Sequence, residues 1–323
     1  MNDAPIMIEV DQLTKNYGRQ VAVNGVSFQV HKGEVLGFLG PNGAGKSTTM
    51  KILTCYLTPT RGSAKVAGFD VYSQSLEVRR RIGYLPEDTP LYRDMIVLEY
   101  LDYVTELRGV PKPKRRPRIK EIGETTGILT VLGKKIGELS RGFRQRVGLT
   151  QAMVHDPDIL ILDEPTSGLD PNQIVEIREL IKQLGREKTL ILSTHILPEV
   201  QATCDRVVII SEGKIVADGK PNDLMAREHT GSFRVLLAAG AAGVEEKLAA
   251  LDGVKEVNRD KSETGTEQFI VFGAGDQDLR GALFRAAVDN HWSLLELDRR
   301  EASLEQVFGR LTKQEPRDES EAA

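Results

Sequence analysis

The stretch Gly40-Pro41-Asn42-Gly43-Ala44-Gly45-Lys46-Ser47-Thr48 has the spacing G-x-x-x-x-G-K-[ST], in which each residue type has a use in holding a polyphosphate. Glycines let the backbone turn tightly with its N–H groups pointing inward, and a helix starting beside them adds the positive end of its dipole. Lys46 is spaced to reach the β and γ phosphates of a nucleoside triphosphate, and the Ser47 hydroxyl to coordinate Mg²⁺. The flanks supply the required context: Val35-Leu36-Gly37-Phe38-Leu39 reads as a buried strand and Thr48 to Leu53 as a helix. Strand, glycine loop and helix in that order separate this segment from a glycine-rich turn that happens to precede a lysine.

A second group of reactive side chains stands at strand ends. Pro157 and Pro165 bracket Ile159-Leu160-Ile161-Leu162, which runs into Asp163-Glu164. Carboxylates at the C-terminal edge of a parallel strand lie where open α/β sheets bind ligands. Asp163 is suited to hold Mg²⁺, directly or through water, and Glu164 to polarise an attacking water. His195 follows the strand Leu190 to Ser193 and is placed to donate to a γ-phosphate or to hold that water; His31, His155, His229 and His291 have no such setting. Further upstream, Ser140 is a good N-cap for the helical stretch that runs to His155. This gives a second helix N-terminus able to bind an anion.

Elements that position these groups are legible from periodicity. Residues 6 to 30 alternate apolar and polar positions about Tyr17-Gly18 and suggest a small antiparallel sheet. The runs Ile159 to Leu162, Leu190 to Leu192 and Val207 to Ile210 lack alternation, as strands covered on both faces should. Between two of them, Ile174, Ile177, Leu180, Ile181 and Leu184 share one helical face, so the core is doubly wound α/β. A helical subdomain is expected over about residues 88–156, interrupted at Gly109 to Pro113 and followed by the basic run Lys114, Arg115, Arg116, Arg118 and Lys120. Such a run is ordinarily a solvated face; contact with acidic lipid headgroups is its other use. After Gly219 the pattern changes to short strands and helices, giving domains at 1–227 and 228–311, the second a small α+β accessory domain, with a polar tail at 312–323.

With 323 residues, 40% of them hydrophobic, the chain can bury a sizeable core. Its net charge of −4 argues against a nucleic-acid partner. No stretch approaches the roughly 18 consecutive apolar residues that cross a bilayer, and the N-terminal residues lack a signal pattern. Cys55 and Cys204 have neither metal nor disulfide spacing and read as core fillers.

Taken together, the motifs resemble those of ABC transporter ATP-binding subunits. Gly40 to Thr48 is similar to their Walker A, Ile159 to Glu164 to their Walker B, and Leu139 to Phe143 to their signature. Ser167-Gly168-Leu169-Asp170 is similar to the D-loop, His195 to the switch histidine, and Tyr17 to the aromatic that stacks on adenine. This likeness covers about the first 220 residues. It implies a P-loop NTPase core with an antiparallel β subdomain and a helical subdomain, using ATP and Mg²⁺. It further implies a homodimer, or a pair with a similar ATPase subunit, in which Ser140, Arg141 and Gly142 of one copy complete the site of the other. Two positions depart from the family's signature pattern. Arg141 replaces a glycine, its guanidinium free to add a phosphate contact or to face solvent, and Phe143 replaces a glutamine. Glu87 stands where the Q-loop has glutamine, and a carboxylate there still suits Mg²⁺. Pro171-Asn172-Gln173 and Ser303 to Phe308 are similar to the exporter branch, in particular the gliding-motility-associated and multidrug-type subunits. The expected role is a cytoplasmic ATPase, peripheral on the inner face of the membrane through a separate permease. The rival readings are a non-transport ATPase acting on nucleic acid or ribosomes, and a regulatory module that binds ATP without hydrolysing it.

Overall fold

A computed structural model describes residues 4–227, 231–241, 243–260, 262, 265–274, 277–300 and 304–312. His229, Ser303 and the tail from residue 313 lie outside the described residues. The chain divides into two compact units, one reaching to Pro221 and the other comprising Asn222–Arg310.

In the first unit, β1 (Ile6–Tyr17) and β2 (Gln20–His31) form the antiparallel hairpin about Tyr17-Gly18, and β4 (Arg61–Val66) and β5 (Phe69–Asp70) extend it in the order β2-β1-β4-β5. The alternation seen in the sequence is the sheet's two faces: Ile8, Val10, Val23, Val26, Phe28 and Val30 turn inward. The second sheet has the order β10-β9-β3-β8-β7-β6. Its strands are β3 (Val35–Leu39), β6 (Ile82–Leu85), β7 (Ile159–Asp163), β8 (Thr189–Thr194), β9 (Arg206–Ser211) and the antiparallel edge strand β10 (Lys214–Gly219). The inner neighbours pair in parallel. Every residue of β3, β7 and β8 is buried, which is why these strands read as unbroken apolar runs. Helices α1 (Lys46–Leu53), α2 (Ser75–Arg81), α6 (Pro171–Gly185) and α7 (Leu197–Thr203) connect the strands. One apolar core joins the two sheets through Phe28, Phe38, Met50, Ile161 and Val208.

Helices α3 (Val97–Leu107), α4 (Lys112–Thr126) and α5 (Arg141–Met153) enclose a separate core around Leu101, Ile119, Val131 and Val147. The interruption expected at Gly109 to Pro113 is shorter: Pro111 is the N-cap of α4 and Pro113 falls in its first turn, where a missing N–H costs nothing. The basic run lies on α4 and is largely paired. Arg115 bonds Glu106 at 2.7 Å, and Arg118 bridges Glu121 and Asp156 at 2.9 Å each. Among the described residues no helix is long and apolar enough to cross a membrane.

The second unit opens with α8 (Pro221–Arg227), whose first residue is the last before the division. It runs β11 (Ser232–Ala238), α9 (Val244–Ala249), β12 (Val254–Asp260), β13 (Thr266–Gly273), α10 (Arg280–Asp289), β14 (Leu294–Arg300) and into α11 (Leu304–Thr312). All pairs are antiparallel in the order β12-β13-β11-β14, a split βαβ arrangement of the βαββαβ type. Its own core gathers Phe233, Val235, Leu248, Val271, Leu283 and Trp292.

Candidate functional site

Strand β3 delivers the chain to the glycine loop at the C-terminal edge of the parallel sheet. A Cβ on Gly40 would lie 2.4 Å from the Ile210 carbonyl oxygen, so only glycine lets the loop press against β9. Gly43 and Gly45 take φ of +80° and +109°, and Gly45 is the N-cap of α1. From outside, Gly213 in the β9–β10 turn donates to the Ala44 carbonyl at 3.0 Å, and Asn24 of β2 donates to the Gly213 carbonyl at 2.8 Å. The loop is thereby held before any ligand arrives. Lys46, 6% exposed, donates to the Gly40 carbonyl at 2.7 Å and the Pro41 carbonyl at 3.3 Å, with Glu164 Oε1 at 3.5 Å.

The two acids diverge because the backbone turns between them. Asp163 is paired with Ser193 across β7 and β8 and is 2% exposed. Its Oδ1 accepts from the Ser193 hydroxyl and, at 3.3 Å, from the Ser47 hydroxyl. Glu164 keeps the ladder by donating its N–H to Ser193, but its φ of +49° is left-handed, a strain of about 1–2 kcal/mol for a residue with a Cβ. Its carboxylate therefore lies beside Lys46 on one side and His195 Nδ1, 2.9 Å away, on the other. A carboxylate accepts only, so Nδ1 carries the proton and Nε2 is left to face the cavity or solvent.

Tyr17, Pro41, Asn42, Gly43, Gly45, Lys46, Ser47, Thr48, Glu87, Glu164 and His195 line one cavity of about 720 Å³. Gly40, Ala44 and Asp163 support it from behind. Ser167, read as the first residue of the D-loop, also lines it, as do Gln20 and Ala22, and Ser193 supports both acids; sequence reasoning gives Gln20, Ala22 and Ser193 no place in the site. The signal for Ser193 is its place two residues before His195, at the end of a buried strand. Behind His195, Thr194 donates its hydroxyl to the buried Glu199 at 3.1 Å, and burial raises that carboxyl above the usual carboxylate range. Tyr84 is similarly pushed upward, first by burial and then by the charge of Asp163.

Ser140, Arg141, Gly142 and Asp170 stand apart from this cavity. Ser140 caps α5 by accepting from Phe143 N at 3.3 Å, and Asp170 caps α6 by accepting from Gln173 N at 2.9 Å. Of the two uses read for Arg141, phosphate contact or solvent, the second describes its position within the chain, since Arg141 is exposed. Its guanidinium lies across Gly168, where a Cβ would sit 2.4 Å from Cζ. Gly142 is closed in by the Gln173 amide.

The donors fit a magnesium nucleotide. A hydroxyl and a carboxylate, Ser47 and Asp163, are hard oxygen ligands, and the loop beside them is held against β9 and β2 at Gly40 and Gly45, where no Cβ fits. Among the described residues there is no cluster of three His, Cys, Asp or Glu side chains able to cage a metal by itself.

A family profile described as ABC transporter matches residues 23–167. The linearmycin resistance ATP-binding protein LnrL of Bacillus subtilis is 31% identical over 313 residues, 97% of this chain and 100% of that one. The Nod factor export ATP-binding protein I of Burkholderia orbicola is 35% identical over 259 residues, covering 80% and 84%. Among solved structures, the dimeric structure of MJ0796, a bacterial ABC transporter cassette, aligns with a TM-score of 0.61 and 26% identity over 66% of this chain and 98% of that one.

Proposed function

The chain belongs to the ABC transporter ATP-binding family, and from that premise we propose that it is the ATP-hydrolysing subunit of a bacterial export system, working in pairs on separate membrane-spanning subunits. The observation that carries the reading is Glu164 held between Lys46 and His195 on the wall of the cavity that the glycine loop lines. In this reading the ATP triphosphate takes the place of the loop carbonyls as partner of Lys46, and Tyr17 stacks on the adenine. Ser47, Asp163 and Glu87 would hold Mg²⁺, which when bound would neutralise phosphate charge. Glu164 accepts the proton of the attacking water, and His195 orients that water or the γ-phosphate through its free nitrogen. Binding ATP closes the pair and hydrolysis reopens it.

The ATPase domain comprises residues 1–227 and the accessory domain 228–311. Placement at the inner face of the membrane follows from the permease it serves. The position of Ser140, Arg141, Gly142 and Asp170 outside the chain's own cavity supports a composite site: these groups complete the cavity of a second copy.

Glu164→Gln keeps the shape and the His195 contact but cannot take a proton. Turnover should fall about 10²–10⁴-fold while ATP binding persists. Unchanged hydrolysis refutes the assigned base. Dilution supplies the second arm. Specific activity should drop as copies separate, and a value independent of protein concentration rules out the composite site.

A further inference from the structure

Helix α5 carries the Ser140–Gly142 end, and one side chain a turn further along is tied to both loops that bear the chain's own acids. Gln145 is 7% exposed. Its Nε2 donates to the Pro165 carbonyl at 2.9 Å, and its Oε1 accepts from the Thr89 hydroxyl at 3.1 Å. A carbonyl can only accept, so this amide orientation is the one that satisfies both partners. Pro165 directly follows Glu164, and Thr89 stands two residues after Glu87. Packing reinforces the bonds. A Cβ on Gly148 would lie 2.5 Å from the Thr89 methyl, so Gly148 opens the groove in α5 that receives Thr89. Nearer the helix tip, Arg141 covers Gly168 and Gln173 covers Gly142, Gly168 and Gln173 both lying in the segment that leaves Glu164.

We infer that Gln145 is a positioning residue that couples the chain's own hydrolytic loops, at Pro165 and Thr89, to the α5 tip offered to a second copy. A buried amide with both ends engaged resists sliding, because either loop moving alone strands a buried donor or acceptor. The Glu164 and Glu87 segments therefore move with the Ser140 end, and the state of one site reaches the other through a side chain that touches neither nucleotide. This inference rests on the paired-ATPase reading above.

The test uses the full chain and three variants. Thr89→Val keeps the methyl over Gly148 and removes the hydroxyl; Gln145→Glu keeps an acceptor for Thr89 and loses the donor to Pro165; Gln145→Leu removes both bonds. In each, the maximal ATPase rate should fall about 10- to 100-fold, as expected when one or two positioning bonds are lost from the transition state. The Hill coefficient for ATP should drop from above one toward one. Binding of a fluorescent ATP analogue, measured at dilution, should change less than about threefold, since no residue of the nucleotide cavity is altered. Losses in Thr89→Val and Gln145→Leu should be non-additive in the double variant. A merely structural residue would lower stability without this split between rate and affinity. Should Gln145→Leu not fold, Thr89→Val and Gln145→Glu carry the test. Wild-type rate and cooperativity in both overturn the inference. Glu164→Gln run alongside separates the two failures. Loss of turnover there, with Thr89→Val and Gln145→Glu unaffected, removes only the role of Gln145, whereas retained turnover removes Glu164 as the base, and a wild-type chain without turnover removes the ATPase reading itself.

Discussion

Gly45→Ala adds a single methyl group at the point where the phosphate loop passes under β2. Two costs apply, and the structure separates them. The φ of +109° is outside the regions open to alanine, a strain of about 1–3 kcal/mol. The new Cβ would also stand 2.5 Å from the Ala22 carbonyl oxygen, where ordinary C···O contact begins near ~3.3 Å, so loop or strand must give way by roughly 0.8 Å. Forcing an extra carbon into packed surroundings costs about 1–3 kcal/mol. The sum, about 2–6 kcal/mol, is a large share of the roughly 5–15 kcal/mol that stabilises a domain. Two sister variants isolate the parts. Gly43 has φ of +80° and no atom within 4 Å of the point a Cβ would occupy, so Gly43→Ala should show strain alone, about 1–2 kcal/mol. Gly40 is not left-handed but its Cβ would meet the Ile210 carbonyl at 2.4 Å, so Gly40→Ala should show the clash alone. Urea unfolding of the three variants, with ATP affinity measured in parallel, gives the comparison. Gly45→Ala should be the most destabilised, and both Gly40→Ala and Gly45→Ala should bind ATP more weakly because the displaced loop carries the phosphate-facing amides. A Gly45→Ala protein no less stable than Gly43→Ala refutes the claim that the loop is wedged against β2.

Two other perturbations have clear expectations. Ser193→Ala removes the hydroxyl that donates to Asp163 and receives the Glu164 N–H; the steady-state ATPase rate should fall about 10- to 150-fold, for the loss of one bond to a charged group of about 1.5–3 kcal/mol, and an unchanged rate argues against Ser193 as a support of both acids. His155 is held near pKa 4 by burial first and by the Arg108 charge second, with its Nε2 donating to the Ile82 carbonyl. Its folded pKa is below its unfolded value, so its neutral form is favoured in the folded protein, and stability is lost as pH falls through the window from about 6.5 to 4. Between pH 7 and 5 the loss should be about 2 kcal/mol by urea titration, and His155→Gln, which can still donate to Ile82, should flatten that slope.

The reactive core of the site was legible in the sequence because its chemistry is local. Lys46 and Ser47 must follow the glycines within one loop, and Asp163, Glu164 and His195 must follow buried strands, so short spacings and apolar runs identify them together with the strands β3, β7 and β8. Likewise, the alternation of residues 6 to 30 is a property of one hairpin. The tertiary structure alone decided what those segments face. Pairing of β7 with β8 sets Asp163 opposite Ser193 across 30 residues of sequence, and no periodicity reports strand order or register. The left-handed turn at Glu164, which sends two adjacent acids to different partners, is a backbone choice that the residue type disfavours. Arg141 was readable as a departure from the family pattern, but its seat across Gly168 depends on how α5 lies against the segment leaving Glu164. Gln145 was invisible for the same reason: a polar residue on a helix declares its burial only when the loops carrying Pro165 and Thr89 close over it. Sequence therefore determined which reactive groups come to one cavity, because the chemistry proposed for them needs particular residues at fixed separations along the chain. The fold decided how those groups are braced, because bracing depends on contacts between segments that the chain itself keeps far apart.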